Sequence, residues 1–281
     1  MWRYPVLNVL RALLSDVSTE GCNTEMISHR LIRAIQSELP GAKTGKEAVT
    51  RSLRRIMRKP HEPEFAIISR LKPEGQSFVD VGANAGQSIE SIRLFAPDAA
   101  LHAFEANAGL ARRLEARYER DRDVTIHPYG LGREVGRFTL HVPRYRRMVY
   151  DGLASIDFQE ASNWLNPERV FGFRPDQLTI ESMGCDVRPL DNIGLDPCFV
   201  KIDVQGLEHD VVLGGIETMR RSEPLLLIEA PSDELCKLLA DVGFSDLAYS
   251  GGMVAPGENR SSSANRLFAS ARRMRSLVSA G

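Results

Sequence analysis

Phe78-Val79-Asp80-Val81-Gly82-Ala83-Asn84-Ala85-Gly86 is the stretch that decides the fold. A short apolar run ends in an acid and breaks into glycines, and a helix-like segment from Gln87 to Phe95 follows. About twenty residues on, a second apolar strand, Leu101-His102-Ala103-Phe104, ends in Glu105. Gly82 and Gly86 let the backbone come close to a ligand, and the helix N-terminus after them favours polar or anionic groups. A carboxylate at the tip of the second strand can accept both hydroxyls of a ribose. Strand, glycine turn, helix, strand and acid make up the mononucleotide-binding half of a doubly wound sheet.

The spacing separates two nucleoside classes. A dinucleotide fingerprint reads G-x-G-x-x-G with a phosphate in its turn. Here the frame is Asp80-x-Gly82-x-x-x-Gly86. An acid beside a pyrophosphate repels it, whereas the same acid attracts an amino group. S-adenosylmethionine (SAM) has a ribose, an ammonium, a sulfonium and no phosphate, so the frame favours it over a nicotinamide or flavin dinucleotide. The competing reading makes the glycines turn residues only, and Glu105 at the matching distance weighs against that.

Length and composition are those expected of an ordinary soluble enzyme. The 281 residues suffice for one substantial core plus an appendage. With 36 Lys+Arg against 37 Asp+Glu, overall charge makes no case for nucleic acid or an anionic membrane. Cys22, Cys185, Cys198 and Cys236 lack C-x-x-C spacing and read as reduced thiols, not a disulfide framework or zinc site. The apolar segment Val6 to Leu14 is broken by Asn8 and Arg11 and is too short to span a bilayer, so no stable membrane insertion and a cytoplasmic location are expected.

Residues 1–60 read as a helical extension. Val6, Leu10, Leu13 and Leu14 suit one amphipathic helix, and Met26, Ile27, Leu31, Ile32 and Ile35 a second, apolar faces that suit a homodimer. A basic helix, Lys46 to Lys59, reads as a solvated face or as a dock for an acidic partner. The nucleoside-binding domain is expected over 61–270, with strands alternating with helices and a closing antiparallel pair, Phe244 to Tyr249 and Asn265 to Ala269. That order predicts a seven-stranded doubly wound sheet. The stretch 143–176 is long for a connection and mixes Tyr145, Tyr150, Trp164, Phe171 and Phe173 with arginines, which suits a lid that stacks on sugars or packs on the core. Residues 271–281 read as a flexible basic tail.

Several stretches resemble the FkbM-type methyltransferases, a family of class I SAM-dependent enzymes. They are Phe78 to Gln87, His102-Ala103-Phe104-Glu105-Ala106-Asn107, Val187-Arg188-Pro189-Leu190-Asp191, and Phe199-Val200-Lys201-Ile202-Asp203-Val204-Gln205-Gly206-Leu207-Glu208 continuing through Leu213-Gly214-Gly215. Pro224 to Glu229 and Asn265-Arg266-Leu267-Phe268 match as well. The K-I-D-x-x-G-x-E signature is the most specific of these, and the chain departs from it at Gln205, where the family commonly has Glu. The resemblance implies a Rossmann-like class I sheet and methyl transfer from SAM, usually to oxygen, often on a sugar, glycan or natural-product scaffold, as in polysaccharide biosynthesis. It implies that Asp80, Gly82, Ala83, Asn84, Gly86 and Gln87 surround the methionine part, that Glu105 and Ala106 meet the ribose, and that Tyr129 and Gly130 lie near the adenine.

Methyl transfer is an in-line displacement in which alignment supplies several kcal/mol. An alcohol must also lose a proton, and a base contributes about 10²–10⁴-fold. Asp203, at the carboxyl end of the fourth core strand, is the expected base, with His209 and Glu208 as further candidates and a structural role as the alternative for both. Lys201, Glu229, Arg146 and Trp164 are the expected acceptor contacts, the acceptor being a small molecule or glycan. No metal is expected, although Asp203 and Glu208 are the pair that would hold one. A methyltransferase-like module that binds without turnover is the second reading.

Overall fold

The computed structural model describes residues 30–34, 37–38, 57, 59–250, 252–257 and 264–279. The first N-terminal helix and nearly all of the basic helix lie outside the described residues, as does Cys22; of the second helix, 30–34 are described and helical. In chain order the strands are β1 (Ser77–Val81), β2 (Leu101–Phe104), β3 (Val124–His127), β4 (Gly130–Leu131), β5 (Gly136–Tyr145), β6 (Met148–Val149), β7 (Leu178–Arg188), β8 (Pro197–Ile202), β9 (Leu225–Glu229), β10 (Phe244–Ser250), β11 (Met253–Pro256) and β12 (Asn265–Ser270). The chain divides into two compact units, one of residues 51–138 and 184–281 and one of residues 1–50 and 139–183.

The first unit is built on a mixed sheet in the order β11-β10-β12-β9-β8-β1-β2-β3. β1 pairs in parallel with β2 and β8, β2 with β3, and β8 with β9, while β12 runs antiparallel to β9 and β10. Among the described residues the sheet therefore has eight strands instead of the seven expected. The addition is the edge strand β11, paired antiparallel with β10. Its four residues, Met-Val-Ala-Pro, are too few and too uniform to show alternation, and Pro256 at its end is tolerated because an edge strand need not donate along its free side.

Central strands β1 and β8 are buried along their whole length, which is why they read as continuous apolar runs. Their side chains alternate between two cores. Phe78, Phe199, Leu225 and Leu227 join one, with Phe65, Ile67 and Ile68 of the 3-10 helix Pro63–Arg70. Val79, Val81, Val200, Ile202, Leu226 and Ile228 join the other. Period two then places Asp80, Lys201 and Glu229 on the first face, beyond the last apolar layer. Residues Ala271–Ser279, expected as a flexible tail, form a helix instead. Leu277 is fully buried in the first core, and Arg273 donates through Nε to the Glu223 carbonyl at 2.9 Å. One leucine among arginines is a faint signal, yet its burial holds the turn.

In the second unit, Ala34, Tyr145, Met148, Tyr150, Leu165 and Val170 form a small core. Tyr145 stacks on Phe173 with centroids 5.1 Å apart. This unit runs over 139–183 and includes the short helix at 30–34, so it is wider than the 143–176 insert.

Candidate functional site

The glycine loop is shaped by three left-handed residues, Gly82, Asn84 and Gly86, with φ of 85°, 48° and 86°. The amides of Gly82 and Ala83 both donate to the Phe104 carbonyl, at 3.0 and 3.1 Å, which ties the loop to the end of β2. Gly86 caps the helix Gln87–Phe95. Beside the loop, the buried Glu105 accepts from the Asn84 amide at 2.7 Å and the Asn107 amide at 2.8 Å, one on each oxygen. Asn107 in turn caps the helix Ala108–Tyr118 through its side chain, accepting from the Gly109 and Leu110 amides. Glu105 is thus held by the backbone on both sides, by amides that favour its ionised form.

Gly130 sits against this corner, since a Cβ placed there would touch the Ala106 Cβ at 3.4 Å. Tyr129 packs edge-on against Phe104 and His127, with the Arg188 guanidinium 4.4 Å over its ring. Burial, with the charges of His102 and Arg188 adding to it, lowers His127 to about 4, so it is neutral at physiological pH. It meets the Tyr129 hydroxyl through Nδ1 at 3.2 Å and His102 through Nε2 at 3.1 Å.

A second group of side chains lies at the carboxyl ends of β1, β8 and β9. Asp80 is fully buried; its Oδ2 accepts from the Ser88 hydroxyl at 2.7 Å, and its Oδ1 has no partner among the described residues. Burial raises its pKa, while the Lys201 charge and the Ser88 hydrogen bond oppose the rise. Lys201, opposite Asp80 in the β1–β8 register and 5% exposed, donates through Nζ to Asp203 Oδ2 at 2.8 Å. Gln205 donates through Nε2 to Asp203 Oδ1 at 3.2 Å. Glu229 follows Ile228, the partner of Ile202 in the β8–β9 register, and hydrogen bonding with Asp203, burial and the Asp203 charge together carry it upward to about 7.

Glu208 does something different from what a catalytic carboxylate would. It accepts from the Val204 amide at 3.2 Å and from the Gly206 amide at 3.1 Å on both oxygens. These bonds fold the turn after β8, in which Gln205 and Gly206 are both left-handed. Replacing Glu208 with alanine is expected to cost about 1–3 kcal/mol in chemical denaturation, the scale for stranding such donors. A loss below about 0.5 kcal/mol would show that the turn holds without it. His209 follows on the helix Glu208–Leu213.

Arg146 and Trp164 belong to the second unit, where both are already engaged. Arg146 binds Glu38 through Nη1 at 2.6 Å and Gln177 through Nε at 2.7 Å, and lies 5.1 Å over the Tyr145 ring. Trp164 is flanked by the guanidinium groups of Arg33 and Arg169, at 5.1 and 4.5 Å. One participant escaped sequence reasoning altogether. Glu62, just ahead of the 3-10 helix, acts by its charge on Asp80, Lys201 and Glu229, and its Oε2 is buried without a partner among the described residues. No motif spacing marks it.

Among the described residues, no group of three or more His, Cys, Asp or Glu is placed to hold a metal ion. No described helix is long and apolar enough to cross a membrane.

The family described as "Methyltransferase FkbM domain" matches residues 80–245, from Asp80 at the glycine loop into β10. The chain belongs to this family. Its two shared stretches Val187–Asp191 and Leu213–Gly215 meet in the fold: the FkbM domain places the Asp191 carboxylate on the Glu217 and Thr218 amides, at 3.3 and 2.7 Å, and its amide on the Gly214 carbonyl at 3.0 Å. No curated protein matches the chain. Among solved structures it is similar to a methyltransferase FkbM from Methylobacillus flagellatus KT, at 18% identity and TM-score 0.42, covering 69% of this chain and 43% of that one. It is also similar to a precorrin-6y C5,15-methyltransferase from Geobacter metallireducens GS-15, at 15% identity and TM-score 0.34, covering 73% and 82%. A SAM-dependent O-methyltransferase from Thermotoga maritima matches at 10% identity and TM-score 0.31, covering 93% and 70%. The chain spans less than half the length of the first of these structures.

Proposed function

We propose that this FkbM domain is a SAM-dependent methyltransferase acting on a hydroxyl of a sugar, glycan or natural-product scaffold. The observation that carries it is the buried Glu105 carboxylate, fixed by the Asn84 and Asn107 amides beside a left-handed glycine loop. A ribose diol offers two hydroxyl donors to such a carboxylate, and no phosphate is needed to fill the loop. Asp80 adds a buried oxygen without a partner among the described residues, suited to a donor such as an ammonium. These residues fit SAM, which when bound supplies an electrophilic methyl group on sulfur. Asp80, Gly82, Ala83, Asn84, Gly86 and Gln87 would line its amino-acid end, Glu105 and Ala106 its ribose, and Tyr129 and Gly130 its base. Acceptor contacts from Lys201 would run through Asp203, since its ammonium is nearly buried.

Titration calorimetry with SAM, S-adenosylhomocysteine and NAD tests the reading. The first two are expected to bind and NAD is not. Replacing Glu105 with alanine is expected to weaken both by about 1–3 kcal/mol, the scale for leaving hydrogen-bond partners stranded. NAD binding, or unchanged affinity in the variant, would overturn the nucleoside assignment. Methyl transfer from labelled SAM to a panel of sugars then separates an enzyme from a binding module.

A further inference from the structure

Two carboxyl groups joined by a hydrogen bond must hold one proton between them, because neither can donate when both are ionised. Asp203 and Glu229 are such a pair: they directly follow Ile202 and Ile228, which face each other in the β8–β9 register. Which of them holds the proton follows from their other partners. Asp203 receives the Lys201 ammonium on one oxygen and the Gln205 amide on the other. Both are donors, and both favour an ionised acceptor. A proton on Asp203 would also face the Lys201 charge at hydrogen-bond distance. The proton therefore sits on Glu229, which donates to Asp203. Glu229, at the end of β9, and Asp203 are both partly exposed, whereas Lys201 and Asp80 are buried. Asp203 already accepts a donor on each oxygen, from Lys201 and Gln205, so Glu229 is the one left to meet an incoming acceptor.

Resting on the methyl-transfer reading, we propose that Glu229 is the general base for the acceptor hydroxyl, and that Asp203 is the positioning residue that holds its proton. In the reactive state Glu229 is ionised. It takes the hydroxyl proton onto its carboxylate as the acceptor oxygen forms its bond to the methyl carbon. The carbon–sulfur bond breaks with its electron pair left on sulfur. The products are the methyl ether, the neutral thioether nucleoside and protonated Glu229, which returns its proton to solvent. The charged and titratable groups around Glu229 are Asp203 and Lys201 from β8 and its following turn, and Glu62 ahead of the 3-10 helix; Asn265 lies opposite it on β12. Their balance brings Glu229 to about 7, where half the molecules carry a ready base at neutral pH.

The test needs no acceptor. Sinefungin carries an amino-substituted carbon where SAM has its methylated sulfur, so its ammonium probes charge at the transfer position, and S-adenosylhomocysteine serves as the uncharged reference. The ratio of sinefungin to S-adenosylhomocysteine affinity is expected to rise about tenfold or more as pH goes up through about 7, the fold-change of a gained charge-assisted hydrogen bond. In Glu229→Gln the rise is expected to vanish while S-adenosylhomocysteine still binds, which also shows that the variant is folded. In protein with 13C-labelled carboxyls, Glu229 is expected to titrate near 7 and to move toward ordinary glutamate values in Asp203→Asn. A flat ratio, or a pH-dependent one that survives in Glu229→Gln, overturns the base assignment and leaves the SAM reading standing. Failure of both nucleosides to bind the wild-type chain overturns the two together.

Discussion

Replacing Gly82 with alanine is expected to destabilise the chain by about 4 kcal/mol or more, the range reserved for severe steric or buried-charge lesions. A Cβ at this position would fall 1.8 Å from the Asp203 carbonyl oxygen and 2.9 Å from its carbon. Both atoms are backbone, so neither can swing aside. Moving them means parting the glycine loop from the turn after β8, where the Asp203 amide donates to the Val81 carbonyl at 3.0 Å. The φ of 85° adds left-handed strain, about 1–2 kcal/mol for a residue with a side chain. Gly194 separates the two contributions, because it has a φ of 77° and nothing within 4 Å of its Cβ position. Gly194→Ala should therefore show the strain alone. Denaturation midpoints of the two variants decide the matter, and equal losses would mean that the close approach is not what requires glycine at 82. This contact also couples the two halves of the candidate site: the loop proposed to hold the methionine part is positioned by the turn that presents Asp203.

Such a contact explains why some of the site was legible in the sequence and some was not. The loop, the strand before it and Glu105 could be read because their pattern is local: an apolar run, glycines at fixed offsets, and an acid one strand later. β1, β2, β8 and β9 were legible for the same reason, as buried strands that alternate between two cores. The roles of the acids were not, because each is set by a partner distant in sequence. Asp203 and Glu208 stand five residues apart and look equivalent on paper. One accepts from Lys201 and Gln205, and the other from the turn amides of Val204 and Gly206. Glu229 and Glu62 enter the cluster only because the sheet brings β9 and the 3-10 helix to its edge. Arg146 looked like an acceptor contact in an aromatic insert, yet Glu38, more than a hundred residues earlier, occupies it. The helix Ala271–Ser279 was hidden by composition, since its arginines outnumber the one leucine that docks it.

Replacing Lys201 with methionine is expected to lower stability by about 3–5 kcal/mol at neutral pH, the scale for removing one partner from a buried ion pair. Methionine keeps the length and the apolar stem, so the loss comes from the charge. Without the ammonium, Asp203 loses its donor at 2.8 Å and buried Asp80 loses the cation that opposes its desolvation. The pH dependence distinguishes this from a packing defect. Burial pushes Asp203 upward, but the Glu229 hydrogen bond, the Lys201 charge and the Gln205 hydrogen bond outweigh it and hold Asp203 below its ordinary 3.8. A carboxylate with a depressed folded pKa stabilises the fold above its unfolded value, and that stability is lost as pH falls through the folded one. The wild type therefore loses this contribution below about 4, whereas the variant has already lost it and instead gains by protonating two acids left without their cation. The gap between them should narrow on acidification. At the other limb, Lys201 is raised above its ordinary 10.5, because the charges of Asp80 and Asp203 overcome a burial penalty that alone would lower it. Its contribution is complete below 10.5 and fades as pH rises through the folded value, so the gap narrows there too. Adding Asp203→Asn to the methionine variant should recover part of the loss, because the asparagine leaves no stranded charge beside Glu229. A loss that stays constant across this pH range, with no recovery in the double variant, would make Lys201 a packing residue. It would also remove the donor that keeps the shared proton on Glu229.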